Sequence, residues 1–297
     1  MKEIVIFGGS NVDYIAKSSK KFIPYDSNIG TLNISFGGVG RNIVENLARL
    51  GNKVVFFTAL GEDAYGKQIK DELTKLGVDV ISPKTSYPSS SYIAIHDENG
   101  EMVSAICDNR VIDDMSVEFL SKYNDLLSNQ EYMFIDANSP QNVIDYLFDR
   151  YKNVKWWVEG VSLAKVNRFQ DYLSKIFLFK ANLIEAKALA HSTSDDPIKV
   201  AKLLHKKGIS NVIISNGLKP ITVLQGDKLD LIDVTPINNV VNATGAGDAL
   251  FSGIIDQFFF NHDLIKGVRF GQKLSLLTLE DEKAVTPKIS LYNYDHD

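Results

Sequence analysis

The sequence has few of the residues on which secreted, metal-binding and membrane-spanning proteins depend. Cys107 is the only cysteine among 297 residues, so no disulfide forms within the chain and a reducing, cytoplasmic setting is expected. The five histidines are scattered, and no C-x-x-C or H-E-x-x-H pair predicts a zinc site. No apolar run is long enough to span a membrane, and the start from Met1 to Gly9 is too short and acidic for a signal peptide. We therefore expect no membrane partner.

The chain also lacks an excess of positive charge. Its net charge is -5 and it has no basic cluster, so a nucleic acid is not expected as a partner. Hydrophobic residues make up 44% of the sequence and charged residues 23%, the ordinary balance of a globular protein. The length suits one large α/β domain with an accessory element, or two domains.

Three familiar motifs are incomplete or missing. The segment from Gly37 to Asn42 does not have the G-x-G-x-x-G spacing, because Ile43 stands at the last position, and a dinucleotide fold is not indicated. The segment from Gly61 to Gln68 nearly spells a P-loop. However, a glutamine replaces the serine or threonine that would hold magnesium, and two acidic residues would lie in the phosphate cradle. No G-x-S-x-G nucleophile elbow is present.

Apolar runs alternate with helix-like segments along most of the chain. Continuous apolar runs predict strands buried on both faces at Ile4–Phe7, Val54–Ala59, Tyr132–Ile135, Trp156–Val158, Ile176–Phe179, Val212–Ser215 and Ile221–Leu224. Helices are predicted from the Gly37 region to Leu50, and at Asn142–Tyr151, Leu163–Ser174, Leu183–Ala190, Ile198–Lys207 and Ala249–Phe260. This alternation of strands and helices is typical of the βαβ units of a doubly wound α/β sheet.

Other strands alternate polar and apolar residues. Leu32–Phe36 is one, and Ser91–His96 and Met102–Cys107 form a hairpin around an Asn-Gly turn. We predict that they form a small separate sheet, a lid over the ligand-binding edge of the main sheet. The lid is assigned to residues 14–37 and 91–110, and the main domain to 1–13, 38–90 and 111–297. An exposed apolar face on such strands often pairs between subunits, so a homodimer through the lid is expected.

The stretch from Asn242 to Asp248 carries the strongest functional signal. Gly245 and Gly247 permit a sharp turn and a close approach by a ligand, and the apolar run that follows predicts a helix. Backbone N–H groups at a helix start bind anions, most often phosphate. Asp248 would repel a phosphate there unless it accepts a proton from an attacking hydroxyl. The alternative is a glycine-rich turn in which Asp248 only complements the helix dipole.

Asp13 and two asparagines have both a functional and a structural interpretation. Asp13 follows the first predicted strand, where it binds two hydroxyls of a polyol or forms an Asx turn. Asn42 and Asn46 lie one helical turn apart on one face, which places them toward a ligand or at the polar surface.

Two later positions are also candidates for ligand binding. Asn182 and Glu185 form a helix cap, or they face nucleotide phosphates with Glu185 holding hydrated magnesium. Ser215 to Gly217 is a strand-end turn across which a nucleotide could lie, although a turn needs no ligand.

Together these stretches resemble the ribokinase-like (PfkB) family of sugar and nucleoside kinases over nearly the whole chain. The matching segments are Asn11-Val12-Asp13, Gly37-Gly38 with Asn42, the hairpin at 91–107, Asn182-x-x-Glu185, Ser215-x-Gly217 and Thr244-Gly245-Ala246-Gly247-Asp248. The resemblance implies a three-layer α/β/α fold with a small β-sheet lid. It also implies phosphoryl transfer from MgATP to a ribose-like hydroxyl.

The family pattern implies a role for each matching residue. Asp248 would be the catalytic base, and Gly245, Ala246 and Gly247 would form the anion hole for the transferring phosphoryl group. The remaining roles are sugar binding by Asn11, Asp13, Gly38 and Asn42, nucleotide binding by Asn182, Ser215, Gly217, Thr244, Gly245 and Gly247, and magnesium binding by Glu185.

Within that family, several segments are similar to the pseudouridine kinases. They are Asn11–Tyr14, Ser35–Gly51, Asp97–Met102, Val161–Lys165 and Leu277–Leu279 with Ala284-Val285. The implied reaction is phosphorylation of the 5′-hydroxyl of pseudouridine by ATP. Another sugar or nucleoside kinase, and a non-catalytic nucleotide-sensing module, are the alternatives.

Two residues depart from the expected pattern. Asn242 stands where most family members have Asp, and Asn109 stands where a Met is expected after Asp108. Asn242 keeps a carbonyl oxygen but lacks the charge that helps to hold a monovalent cation. The sequence therefore leaves a potassium ion as an open expectation.

Overall fold

The computed structural model describes residues 3–237 and 239–292. In these residues thirteen strands are present: β1 Ile4–Phe7, β2 Asn11–Ser18, β3 Gly30–Gly37, β4 Val54–Phe57, β5 Asp79–Ile81, β6 Ser91–His96, β7 Met102–Asp108, β8 Tyr132–Asp136, β9 Lys155–Glu159, β10 Ile176–Asn182, β11 Asn211–Asn216, β12 Lys219–Gln225 and β13 Lys228–Ile232.

The helices connect these strands in a regular order. The α-helices of the described residues are α1 Val39–Arg49, α2 Ala64–Lys75, α3 Val117–Ser121, α4 Asn124–Ser128, α5 Gln141–Arg150, α6 Leu183–Ala190, α7 Pro197–Lys206, α8 Ala246–Asn261 and α9 Leu264–Leu279. Short 3₁₀ helices occupy Arg110–Asp114, Val166–Lys175 and Pro287–Tyr292.

Nine strands form the large sheet, in the order β13-β12-β11-β10-β9-β8-β1-β4-β5. The strands from β11 to β5 pair in parallel, and β12 and β13 add an antiparallel edge. All seven strands that the apolar runs predict lie in this sheet. The carboxyl ends of its parallel strands therefore meet at one edge, where ligands bind in open α/β sheets.

Two hydrophobic cores lie on opposite faces of the large sheet. Side chains alternate along each strand, so Val5 and Phe7 of β1 join one core, while Ile4 and Ile6 join the other. The first core packs α5, α6 and α7, and the second packs α1, α2, α8 and α9. Helices thus cover both faces, which confirms the predicted three-layer α/β/α fold.

The remaining four strands form a small sheet in the order β3-β2-β6-β7. The predicted hairpin is confirmed as β6 and β7, and the predicted strand at Leu32–Phe36 lies within β3. Asn11 and Asp13 follow β1 as expected, but they lie in a strand of their own and not in a turn. They belong to β2, which pairs with β3 and β6, and an Asx turn at Asp13 is excluded.

The predicted boundary between main domain and lid at residues 13 and 14 therefore falls inside β2. The small sheet begins at Asn11, ends at Asp108, and holds Asn11 and Asp13, whereas Asn42, the third polar residue that the family pattern places near the sugar, lies on α1. The division into domains stays a prediction, and residues 1–2, 238 and 293–297 of its ranges lie outside the described residues.

Two further differences concern helices. The segment predicted as an α-helix at Leu163–Ser174 is a 3₁₀ helix, whose buried Val166, Phe169 and Tyr172 recur every third residue. Helix α2 begins inside the rejected P-loop-like segment, where the Asp63 side chain caps it by accepting a hydrogen bond from Gly66 N. The sequence interpretation had assigned no helix to α2 or to α9.

Candidate active site

Helix α8 begins at a turn that is built for close packing. Gly245 is its N-cap residue and has a φ of 83°, which favours glycine. A Cβ on Gly245 would overlap the carbonyl oxygen of Ala284, so the backbone at Ala284 packs directly against the turn. No side chain of the described residues caps this helix start. Its first N–H groups are therefore available to an anion, as the sequence predicts.

Asp248 lies in the first turn of α8 and is 8% exposed. Its Oδ2 accepts a hydrogen bond of 2.8 Å from Asn42 Nδ2, which joins α8 to α1. Burial first, and then the charge of Glu159, raise the pKa of Asp248 to about 7, against the lowering effects of Lys180 and Asn42. A carboxyl group that titrates near neutral pH is suited to general base catalysis.

The start of α1 brings the other polar residues to the same edge. Gly38 is the N-cap residue of α1 with a φ of 98°, and Asn42 lies one turn later. Strand pairing places Asn11 opposite Gly37, and the Asn11 amide donates a hydrogen bond to Asp13. Asn11, Asp13, Gly38 and Asn42 therefore surround one short strand-to-helix connection.

Three acidic or amide groups near this connection are more buried than the sequence suggests. Burial raises the pKa of Asp13 to about 6, against the lowering effects of Asn11 and Arg41. Asn42 and Asn46 are 3% and 0% exposed, so the alternative that they are surface positions is wrong. The Asn46 amide has no hydrogen-bond partner among the described residues.

The candidate nucleotide residues lie at the ends of β10 and β11. Asn182 and Glu185 form a capping box, with bonds of 3.0 Å from Asn182 N to Glu185 Oε2 and 2.9 Å from Glu185 N to Asn182 Oδ1. The cap interpretation is thus confirmed. Asn182 pairs in register with Ser215, and Gly217 lies in the tight turn between β11 and β12. Thr244 N donates to Asn242 Oδ1 at 2.9 Å beside the α8 turn.

Three buried charged residues at this edge were not selected from the sequence. Asp136 ends β8 and accepts bonds from Gly9 N and Gly40 N at 3.0 and 2.8 Å, which ties the β1 end to α1. Glu159 ends β9, and Lys180 lies near the end of β10, with 2.8 Å between them. All three could have been predicted as site residues, because each is a charged residue at or near the carboxyl end of an apolar strand in a parallel sheet.

Of two cavities that the described residues form, the smaller is lined by a predicted site residue and the larger is not. A small cavity of about 40 Å³ is lined by Asn11, Asn109, Asn138 and Lys165, and Lys165 Nζ donates to Asn138 Oδ1 at 2.6 Å. A cleft of about 670 Å³ lies between β3, α1, α2 and residues 283–287, and none of the predicted site residues lines it. Size alone therefore does not locate the site.

Comparisons with known proteins over the whole chain show the family to which it belongs. The model of the pfkB family carbohydrate kinases matches residues 1–290. The chain belongs to this family. A pseudouridine kinase from Escherichia coli K12 is 32% identical, over 98% of this chain and 94% of that protein.

Solved structures share the fold at lower identity. A ribokinase from Thermotoga maritima superposes with a TM-score of 0.87 at 18% identity, covering 99% of each chain. A ribokinase from Arabidopsis thaliana, complexed with ribose and ATP, gives a TM-score of 0.83 at 21% identity, covering 98% of each chain. These likenesses establish the ribokinase-like fold.

The protein is therefore an ATP-dependent phosphotransferase of the ribokinase-like family, acting on a sugar or nucleoside, and such kinases use ATP with Mg²⁺. In the described ranges, no group of three or more His, Cys, Asp or Glu residues could hold a metal ion by itself. No helix of those ranges is long and apolar enough to cross a bilayer.

Proposed function

We propose that this kinase phosphorylates the 5′-hydroxyl of pseudouridine, giving pseudouridine 5′-phosphate and ADP. The observation that carries the chemistry is the buried Asp248 carboxyl group, held by Asn42 at the uncapped start of α8. The similarity to the Escherichia coli pseudouridine kinase supports the substrate.

In this proposal Asp248 accepts the proton of the attacking hydroxyl. The Asn42 amide fixes one carboxylate oxygen at 2.8 Å, which leaves the other to meet the substrate. The N–H groups of Gly245, Ala246 and Gly247 stabilise the negative charge on the transferring phosphoryl group, because a helix start without a side-chain cap offers them to an anion.

The sugar lies between the two sheets, against Asn11, Asp13, Gly38 and Asn42. Carboxylate and amide groups at one strand-to-helix connection match the hydroxyls of a ribose ring, and Asp13 accepts from two of them. Glycine at position 38 is required by its positive φ.

Several features of the chain fit MgATP. The helix start at α8 suits its phosphates, and Asn182, Ser215, Gly217 and Thr244 form the adjacent nucleotide surface. Glu185 would hold the hydrated magnesium, whose charge offsets the negative charge of the phosphates when bound. Asn182 and Glu185 keep their capping role in this arrangement.

A potassium ion remains part of the proposal only as a prediction. The Asn242 side chain accepts from Thr244 N and donates to the Glu282 carbonyl at 2.9 Å, so its amide already fixes the loop shape. Activity that rises with added KCl, relative to choline chloride, would support a cation near this loop.

We propose that the base lies toward the small cavity next to Asn11, which must widen on nucleoside binding because its volume of about 40 Å³ admits little more than one water. Asn109 and Lys165 line this cavity and have polar groups that could contact the base, whereas the Tyr14 ring packs edge-on against Tyr65 at 6.0 Å. The base of pseudouridine joins ribose through carbon, so it presents an N–H where uridine has a C–H, and the Asn109 amide oxygen is an acceptor for it. Uridine would leave that acceptor unpaired, at a cost of about 1–3 kcal/mol.

The experiment is a coupled ADP-release assay over pseudouridine, uridine, adenosine and ribose. We expect kcat/KM for pseudouridine to be the highest, roughly 5- to 150-fold above that for uridine, from the unpaired acceptor. Asn109→Ala should reduce this ratio, and Lys67→Ala on the outer surface of α2 should not. A higher kcat/KM for adenosine or ribose contradicts the pseudouridine assignment and leaves the kinase assignment intact.

No turnover of any of these compounds would instead favour the non-catalytic nucleotide sensor. We disfavour that alternative because a carboxylate beside a phosphate weakens phosphate binding by charge repulsion, and a protein that only binds the nucleotide has no use for it.

A second copy of this chain is the proposed partner. The strand register of the small sheet places Leu32, Ile34, Ile93, Ile95 and Ile106 on one face, and all five are exposed. Light scattering of the wild type and of Ile106→Lys tests this homodimer, which predicts that the charged variant is monomeric. A cytoplasmic location stays a prediction from the single cysteine.

A further inference from the structure

A buried ion pair lies beneath the α8 turn and has no assigned role. Lys180 Nζ and Glu159 Oε1 are 2.8 Å apart, and each side chain is 5% exposed. The two residues pair in register on the adjacent parallel strands β10 and β9. Glu159 Oε2 also accepts a hydrogen bond of 2.6 Å from Val161 N. Such deep charges are costly to desolvate, so stability alone does not explain the pair.

The ammonium end of this pair faces the turn of α8. A Cβ on Gly247 would lie 3.0 Å from Lys180 Nζ. The absence of a side chain at this position therefore leaves room for the ammonium group against the first turn of α8. Burial acts to lower the pKa of Lys180, but Glu159 and then Asp248 outweigh burial and the pKa rises. Glu159, Asp248 and, more weakly, Glu185 therefore keep Lys180 in its charged form.

We propose that Lys180, anchored by Glu159, is a positioning residue that governs the ionisation of Asp248. The groups that act on the Asp248 carboxyl are Asn42 from α1, Asp136 from β8, Glu159 from β9 and Lys180 from β10. Two of these are acids that oppose ionisation, and Lys180 is the cation that favours it. The relevance to catalysis rests on the proposed function, in which Asp248 is the base.

Charge removal at the pair should move the Asp248 titration in opposite directions. Glu159→Gln removes a repelling acid and frees Lys180 for Asp248, so Asp248 should titrate about one to three pH units lower. Adding Lys180→Met to that variant removes the cation as well and leaves no lone buried charge. Asp248 should then titrate at higher pH than in Glu159→Gln alone.

The readout is the carboxyl carbon NMR titration of the apoprotein, in which Asp248→Asn identifies the resonance. Lys180→Arg retains the charge and should titrate like the wild type. Lys155→Met breaks an exposed pair with Glu131 at the opposite end of β9 and should shift nothing. If Glu159→Gln does not fold, Gly247→Ala serves instead, because its methyl group displaces Lys180 and should raise the Asp248 titration.

Equal Asp248 titrations in Glu159→Gln and in the double variant overturn the proposal, as does an unchanged titration in Gly247→Ala. The apoprotein titration needs neither ATP nor nucleoside. A shifted titration in a protein that phosphorylates no nucleoside would therefore contradict the proposed function and leave the role of Lys180 standing.

Discussion

The two carboxylates nearest the proposed sugar site lie in very different surroundings. Asp248 is buried at the start of a long helix, and side chains from α1, β8, β9 and β10 act on it. Asp13 is half-buried on β2 of the small sheet, and its hydrogen-bond partner is Asn11, two residues earlier. The first group is fixed by the core of the molecule, and the second by a local strand.

This difference suggests a division of labour between the two sheets. A proton acceptor must hold its position and its pKa, which a buried network provides. A group that selects a substrate can lie on an element that closes when the substrate arrives. We therefore expect changes at Asp248 to affect the rate, and changes at Asp13 to affect substrate affinity.

The largest effect should come from Asp248→Asn. The amide cannot accept the hydroxyl proton, so kcat should fall by roughly 10²–10⁴ while folding and ATP binding persist. Asp256→Asn is the matched control, because Asp256 is buried on the same helix and accepts from Asn52 Nδ2 at 2.7 Å, away from the α8 start. Near-normal turnover in Asp248→Asn would remove this residue from the mechanism.

The second prediction is that Asp248→Asn stabilises the apoprotein at alkaline pH. The folded pKa of about 7 exceeds the ordinary 3.8, so the folded state binds the proton more tightly than the unfolded state. The stability contributed by this group is full below pH 4 and is lost as the pH rises through 7. Urea unfolding at pH 8 should favour the variant by at most about 4 kcal/mol. A variant less stable than the wild type at pH 8 would contradict this pKa.

Sequence patterns predicted the central strands of the large sheet and the strands β3, β6 and β7, but not β2 or β5. The central strands of the large sheet are continuous apolar runs, and the α8 turn has two glycines before an acid. Both features can therefore be predicted from a short segment of sequence. Strand β2 was missed because Asp13, Lys17 and Ser18 interrupt its pattern, and only pairing with β3 and β6 makes it a strand.

The Lys180–Glu159 pair was missed for a related reason. Its two residues are 21 positions apart, and only the parallel register of β9 and β10 brings them together. Residue spacing within one segment cannot predict such a contact. The Asn42–Asp248 bond, across 206 positions, is of the same kind.

The third prediction concerns Asp13→Ala. Losing a carboxylate that binds two hydroxyls should raise KM for the nucleoside roughly 10- to 100-fold and leave KM for ATP nearly unchanged. Lys17→Ala, an exposed position on the same face near the other end of the strand, controls for damage to β2. Equal increases in both KM values would assign Asp13 to the structure of the small sheet.

The smallest effect, and the one that most sharpens the comparison of the two regions, is in hydrogen exchange. If the small sheet closes over the nucleoside, amides in 14–37 and 91–110 should exchange severalfold more slowly in its presence. Amides of the large sheet, such as those of β8 and β9, are already paired and buried, so their exchange should change little.

The measurement is hydrogen–deuterium exchange by mass spectrometry, with and without saturating pseudouridine. Ribose alone is the matched control, because it reaches Asp13 but leaves the small cavity next to Asn11 empty. Protection by pseudouridine that is absent with ribose would show that filling this cavity drives closure. Unchanged exchange in both segments would mean that the small sheet is a rigid packing element, and the division of labour would then fail.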